Sequence, residues 1–290
     1  MGDTLDKKLD EFPDKEKYLK KEKDNQELTK LDKKVKRSEE LTKEELVFLY
    51  EIDNKIDSFG YNADPRIKEL RQGRNMEQDM LTIFEATSDQ IAHTPSEINQ
   101  NTKAYVGQLE PGIFTKLPAT LEHVYTSFPE KKIRRENVEV GDKTAEQFIT
   151  EMKSENINIS TYAESMLMNK EQFIPTKDPE EMTLVRLTVA DLGFTDTATT
   201  NQIYQRAEEL GLELCPPDTG PHYRLKYKDQ PLGELFRIGM KQITASGANP
   251  DVFSLGHYDG GLWLYHDWAD PDNSWRPDYE WCFRLRKSES

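Results

Sequence analysis

His257, His266 and Asp259 are the side chains of this sequence best suited to do chemistry together. They lie in FSLGHYDGGLWLYHDW (253–268), where Gly260-Gly261 separates two alternating runs and predicts a two-residue hairpin turn. With the turn at 260–261, His257 faces Leu264 and His266 faces Leu255, so both imidazoles leave one face as diagonal neighbours. Asp259 points the same way, and two histidines with one carboxylate can hold a divalent metal. The same face carries Phe253, Leu255, Leu262 and Leu264, the composition of a core face with two polar residues at its edge. Core is therefore the first reading, the metal site the second, and no resident cofactor is expected.

The opposite face of the hairpin carries Tyr258, Trp263 and Tyr265. Such rings stack on sugars, bases or peptide side chains, or they pack as a second core face. Trp268 and Trp275 bracket the loop Asp267–Asp278 and are better placed to meet a ligand. The expected contact residues are thus Trp268, Trp275, Tyr258 and Trp263. Within the loop, Asp270, Asp272 and Ser274 have the spacing that opens a calcium loop. Trp275 and Trp281, however, stand where that motif needs glycine and glutamate.

Nucleophilic chemistry has little support. Cys215 and Cys282 each fall in a predicted strand, where a thiol is usually inert. His123 and Ser127 share LEHVYTSF without a nucleophile elbow around the serine. There is no phosphate loop, no dinucleotide fingerprint, no H-E-x-x-H and no C-x-x-C.

The elements that must position these residues change character along the chain. Residues 1–27 are dense in Lys, Glu and Asp and read as a charged tail, disordered or a frayed, solvated helix that buries no core. Residues 28–75 read as a helical region, with Thr42-Lys-Glu-Glu45 as a capping box and Leu46, Leu49, Ile52, Ile56 and Phe59 at helical spacing. Residues 79–174 read as a small mixed unit, with strands at 80–86, 121–128, 133–140 and 157–159 and helices at 144–152 and 161–168. PTKDPEE (175–181) reads as a linker. Residues 182–290 read as a Trp-rich domain, with strands at 184–190, 212–215, 222–227, 236–240, 253–259, 262–268 and 279–286 and one helix capped by Thr199 and Gln202. The fold class expected is α+β: a helical N-terminal region, a small mixed α/β middle unit and a C-terminal, mostly antiparallel β domain with one helix.

Charge narrows the partners. The 290 residues carry a formal charge of -15, and the first 45 are nearly balanced, so the acidity belongs to the rest. An acidic body repels phosphate backbones, which disfavours nucleic acid, and KKIRR (131–135) reads as the exposed end of a strand. No run of about twenty apolar residues is present, so no membrane span is expected. MGDTLDKKLDEF lacks the apolar core of a secretory signal, and Asp6 stands where a myristoylation pattern needs Ser or Thr. Two cysteines fit a reducing compartment, and the cytoplasm is the expected location.

Several stretches resemble a family of uncharacterised proteins from uncultured, small-genome bacteria. They are EELTKEELVFLYEIDNKIDSFGYNADPRI (39–67), NTKAYVGQLEPGIF (101–114), LEHVYTSFPEKKI (121–133), LVRLTVADLGF (184–194), IYQRAEELGLELCPP (203–217) and WRPDYEWCFRLRK (275–287). The resemblance implies a modular bacterial protein and assigns no activity, cofactor or site. The functional expectation is a cytoplasmic, non-catalytic binding or adaptor protein that meets a protein partner or a small ligand through its aromatic C-terminal domain. The alternative is a hydrolase-like enzyme, metal-dependent through the 253–268 hairpin.

Overall fold

The structure, a computed structural model, describes residues 15–60, 62–118, 120–246 and 249–286. The chain divides into two compact units. The first holds the residues up to Ile91 together with Asn101–Ala104, and the second holds Ala92–Gln100 and the residues from Tyr105 onward.

The first unit is helical. Helix α1 (Lys15–Lys36) is followed by α2 (Lys43–Leu49), α3 (Pro65–Arg71) and α4 (Met76–Ile83). The capping box closes as expected, with Glu45 N donating to Thr42 Oγ1 and Thr42 N to Glu45 Oε2. Three expectations fail here. The capped helix ends at Leu49 with Tyr50 as its cap, so Ile52, Ile56 and Phe59 lie beyond it. Residues 15–27 are not a tail but the first turns of α1, because Asp24 accepts from Lys20 Nζ and Asp57 N at 2.8 Å and Leu28 and Leu31 are buried further along. Residues 1–14, the remainder of that expected tail, lie outside the described residues. The expected strand 80–86 is instead α4 and its C-terminal cap. Asn75 caps Gln78 N, and Met80, Ile83 and Phe84 recur at the three- and four-residue spacing of one helix face. A short apolar run does not by itself separate strand from helix.

The second unit is built on a nine-stranded sheet. Its strands in chain order are β1 (Arg134–Val140), β2 (Asn158–Ile159), β3 (Glu180–Thr188), β4 (Leu212–Glu213), β5 (Leu235–Ile238), β6 (Ile243–Thr244), β7 (Pro250–Tyr258), β8 (Gly261–Trp268) and β9 (Glu280–Leu285). They lie in the order β1-β3-β9-β5-β7-β8-β2, with β4 also on β9 and β6 on β7. Pairing is antiparallel except for β5 with β9 and β8 with β2. The expected boundary between a middle unit and a C-terminal domain is therefore absent. β1 and β2 complete the sheet of the later strands, and 180–181 of the expected linker already belong to β3. An isolated strand leaves its backbone polar groups unpaired, and the sheet edges satisfy them.

Helices of this unit include α5 (Ile113–Lys116), α6 (Ala145–Ser154), α7 (Thr161–Met168), α8 (Thr200–Glu209) and α9 (Thr219–Lys226). The last replaces the expected strand 222–227, so the described residues of 182–290 hold two helices rather than one. Tyr223 and Tyr227, read as strand alternation, are the i and i+4 rings of one helix face, stacked 5.6 Å apart. α6, α7 and α9 pack on one face of the sheet, where Phe148, Phe173 and Phe253 meet edge to face. α8 covers part of the other face through Tyr204, which stands edge-on to Trp281 at 5.7 Å and Phe283 at 6.1 Å.

A charge lies inside the first face. Arg186, 1% exposed in its side chain, reaches Glu280 Oε2 at 2.7 Å and Glu234 Oε1 at 3.0 Å, and its guanidinium lies 3.9 Å over the Phe236 ring. Arg134 binds the same Glu234 oxygen at 2.6 Å. Burial opposes the charge on Arg186, but Glu280 and Glu234 hold the guanidinium well above its ordinary pKa. Arg186→Ala leaves Glu280 without its cation and Glu234 with Arg134 alone, and is expected to cost about 3 kcal/mol, read as a lower urea midpoint. Glu280→Gln keeps Glu234 as counter-charge and should cost less; equal losses would show that the arginine is not the anchor.

Candidate functional site

The hairpin that carries the expected site does not turn at Gly260-Gly261. Tyr258 pairs with Gly261, His257 with Leu262 and Phe253 with His266. The two connecting residues are Asp259 and Gly260, and Gly261 is the residue with positive φ, at +100°. This is the turn followed by a left-handed glycine that also closes hairpins. Both glycines are used, one position earlier than the simple two-residue reading requires.

That slip separates the proposed metal ligands. His257 and His266 remain on one face, but His266 lies four residues beyond the partner of His257, about 13 Å along the strand. His257 Nδ1 donates to the Gln230 carbonyl, and His266 Nδ1 meets Ser160 Oγ at 3.0 Å under the Tyr162 ring. Burial lowers the pKa of His266, with Asp267 opposing. Asp259 stays in the turn. Among the described residues no group of three His, Cys, Asp or Glu side chains could hold a metal ion. The expected set of His257, His266 and Asp259 is corrected accordingly.

The four expected contact residues do not form one site either. Trp275 is buried, its Nε1 donating to Thr200 Oγ1 at 2.8 Å and its ring edge-on to Trp281 at 4.9 Å. It is core, because residues 274–275 pair with 198–199 at the start of α8. Trp268, 53% exposed, ends β8 on the face of Phe253 and His266. Tyr258 and Trp263 share the opposite face with Tyr265. Aspartates of the loop after Trp268 serve the loop itself, Asp270 accepting from Asp272 N and Asp278 pairing with Arg276.

Tyr258, Trp263 and Tyr265 form the part of the sheet that faces solvent. Trp263 and Tyr265 stack at 4.8 Å, and Tyr258 stands at 89° to Tyr265 with centroids 5.9 Å apart. Tyr258 lies back over Gly256, where an added Cβ would come within 2.7 Å of its ring. Glycine at 256 therefore lets this ring lie against its own strand. Beside the rings opens a pocket of 260 Å³ lined by Leu235, Ser254, Tyr258, Tyr265, His266 and Asp267. Ser254 is fully buried, and its hydroxyl has no hydrogen-bond partner among the described residues. Asp267 accepts from Arg237 Nε at 3.1 Å through Oδ2. Arg237 is itself buried, 4.4 Å over the Tyr279 ring and 5.3 Å over Trp275. Burial pushes the Tyr258 phenol up; Arg237 opposes this and Asp267 adds to it.

Residue reading along the sequence passed over Ser254, Arg237 and Asp267. A signal existed for the first two, since each is a single polar residue inside an apolar strand, FSL and FRI. Other candidates resolve into structure. Cys215 and Cys282 are buried free thiols, and burial raises Cys282 far above its ordinary pKa. In KKIRR, Arg134 binds Glu234, and Arg135 donates to the carbonyls of Pro118 and Leu121. Asp218 is fully buried and accepts from Gly141 N, Thr176 N and Thr176 Oγ1, while His222 Nε2 accepts from Gly141 N at 3.0 Å. Together they pin two loops to α9. Gly141 sits at φ +98° with no room for a Cβ, 2.7 Å from Asp178 O. A larger depression, 520 Å³, opens beside the start of α6. Its helix amides already serve the Thr144–Gln147 capping box and the Glu146 carboxylate, and Lys143 binds Glu151.

Asp251, opposite Trp268 in the β7–β8 pairing, is 3% exposed, with its carboxyl pushed up to about 6 by burial and then by Asp267. The folded protein thus keeps a proton that an unfolded aspartate, at 3.8, has lost. The stabilising contribution is full below about pH 4 and is lost as pH rises through about 6. Asp251→Asn should abolish this slope, raising stability by about 1–2 kcal/mol at pH 7.5 and little at pH 4. Parallel Tm–pH profiles for the two proteins would contradict it.

No helix among the described residues is long and apolar enough to cross a membrane. No family model, curated protein or solved structure matches the chain.

Proposed function

We propose that this chain is a non-catalytic binding protein that holds a small ligand in the aromatic pocket on the outer face of the β7–β8 hairpin. The observation that carries the reading is the buried, unpartnered Ser254 hydroxyl beside two solvent-facing tyrosines and a carboxylate. An orphaned buried hydroxyl costs stability unless something completes its hydrogen bond. Walls set on strands hold their rings in place before a ligand arrives, which lowers the entropy cost of binding. The adaptor side of the reading is supported by Tyr18, Leu19 and Phe59, exposed on the first unit. Two unpaired, buried thiols support a reducing compartment, the cytoplasm. The hydrolase alternative lacks an assembled site, since His257 is engaged with the Gln230 carbonyl, His266 with Ser160, and Asp259 lies in the turn.

The test is native mass spectrometry of the full chain after incubation with a small-molecule extract of cells. The wild type should retain a bound mass, and Tyr258→Ala with Tyr265→Ala should lose it while keeping the wild-type circular dichroism spectrum. Retention undiminished in the double variant, or no retained mass in the wild type, counts against the pocket.

A further inference from the structure

We infer that the pocket beside Tyr258 and Tyr265 takes one neutral sugar ring, an inference that rests on the binding reading above. Its volume, 260 Å³, lies below the range of drug-sized sites and admits one small ring. The walls meet at a right angle, Tyr258 standing at 89° to Tyr265, with Leu235 completing the apolar lining. A ring stacked on one tyrosine therefore lays its edge against the other. A pyranose has an apolar C–H face for stacking and hydroxyls around its edge, each both donor and acceptor.

The polar groups of the pocket ask for that edge. Asp267 spends Oδ2 on Arg237, and its other oxygen carries no hydrogen bond from the described residues, so it is free to accept one from a ligand. Ser254 has a hydroxyl without a partner and can give or accept. A vicinal diol answers both at once. Charge selects against ions. Arg237 already neutralises Asp267 at 3.1 Å, so an ammonium finds no unpaired carboxylate there. An anion meets the carboxylate edge, since the guanidinium is 5% exposed and covered by Tyr279 and Trp275.

Saturation-transfer NMR on the full chain tests this with glucose, galactose, mannose and N-acetylglucosamine, against choline as a cation and inorganic phosphate as an anion (followed by ³¹P line broadening). At least one sugar should receive saturation on its ring C–H protons, and Tyr265→Ala should abolish the transfer. Ser254→Ala should weaken sugar binding about tenfold and yet raise the Tm of the free protein, because the orphaned hydroxyl is gone. The conservative Ser254→Thr should retain part of the affinity. Binding of choline or phosphate with no sugar overturns the sugar assignment and leaves the pocket standing. Binding of none of the six probes also overturns it, and retention of another mass in the extract experiment then shows that the pocket holds a different class. A Ser254→Ala variant that binds sugar as the wild type does would remove the hydroxyl from the site.

Discussion

A guanidinium enclosed by protein organises the second unit. Arg186 sits near the end of β3 with two carboxylates in reach, Glu280 on β9 and Glu234 just before β5. Arg134 on β1 joins through Glu234. A charge removed from water is tolerated only when its counter-charges are held at bonding distance. The pairings β1–β3, β3–β9 and β9–β5 are thus tied to one register, since a slip of one residue would send Arg186 to the opposite face. Glu280 pairs with Thr188 and Cys282 with Arg186, which sets the carboxylate one diagonal step from the guanidinium.

The same register places the candidate site. Phe236, under Arg186, faces the helices; Arg237, the next residue, faces the other way beside Ser254. There it meets Asp267 and lies on the Tyr279 ring. Two buried arginines, related by the two-residue period of a strand, therefore work on opposite faces of one sheet. The first ties strands together, and the second divides the outer face. On one side of Arg237 that face is dry, closed by Tyr204, Trp275 and Trp281. On the other side it is wet, where Tyr258, Trp263 and Tyr265 meet solvent.

Local chemistry was legible wherever it was complete within a few residues. The capping boxes at Thr42 and Thr199 were read from their own four-residue spans, and both close as hydrogen-bonded pairs. The alternation of β7 and β8 was equally plain, and it assigned His257 and His266 to one face and Tyr258 and Trp263 to the other. What escaped depended on partners far along the chain. α4 and α9 were read as strands because runs of six or seven residues with alternating or clustered apolar side chains fit both periods, and only burial against neighbours chooses between them. Trp268 and Trp275 flank the same loop with similar surroundings in sequence. Thr200, some 75 residues away, supplies the hydroxyl that makes one of them core.

The hairpin shows how small a misreading suffices to change a functional conclusion. Moving the connecting residues from 260–261 to 259–260 shifts every cross-strand pair by two, because each strand changes by one in opposite senses. Faces survive this shift, since parity is kept, but neighbours do not. The two imidazoles move from diagonal contact to about 13 Å, while Tyr265 comes opposite Ser254 and Trp263 opposite Gly256. With no Cβ at 256, the Tyr258 ring can lie along its own strand towards Tyr265, and Ser254 lines the pocket beside them. One glycine at positive φ thus dissolves a metal site on the inner face and assembles an aromatic pocket on the outer one.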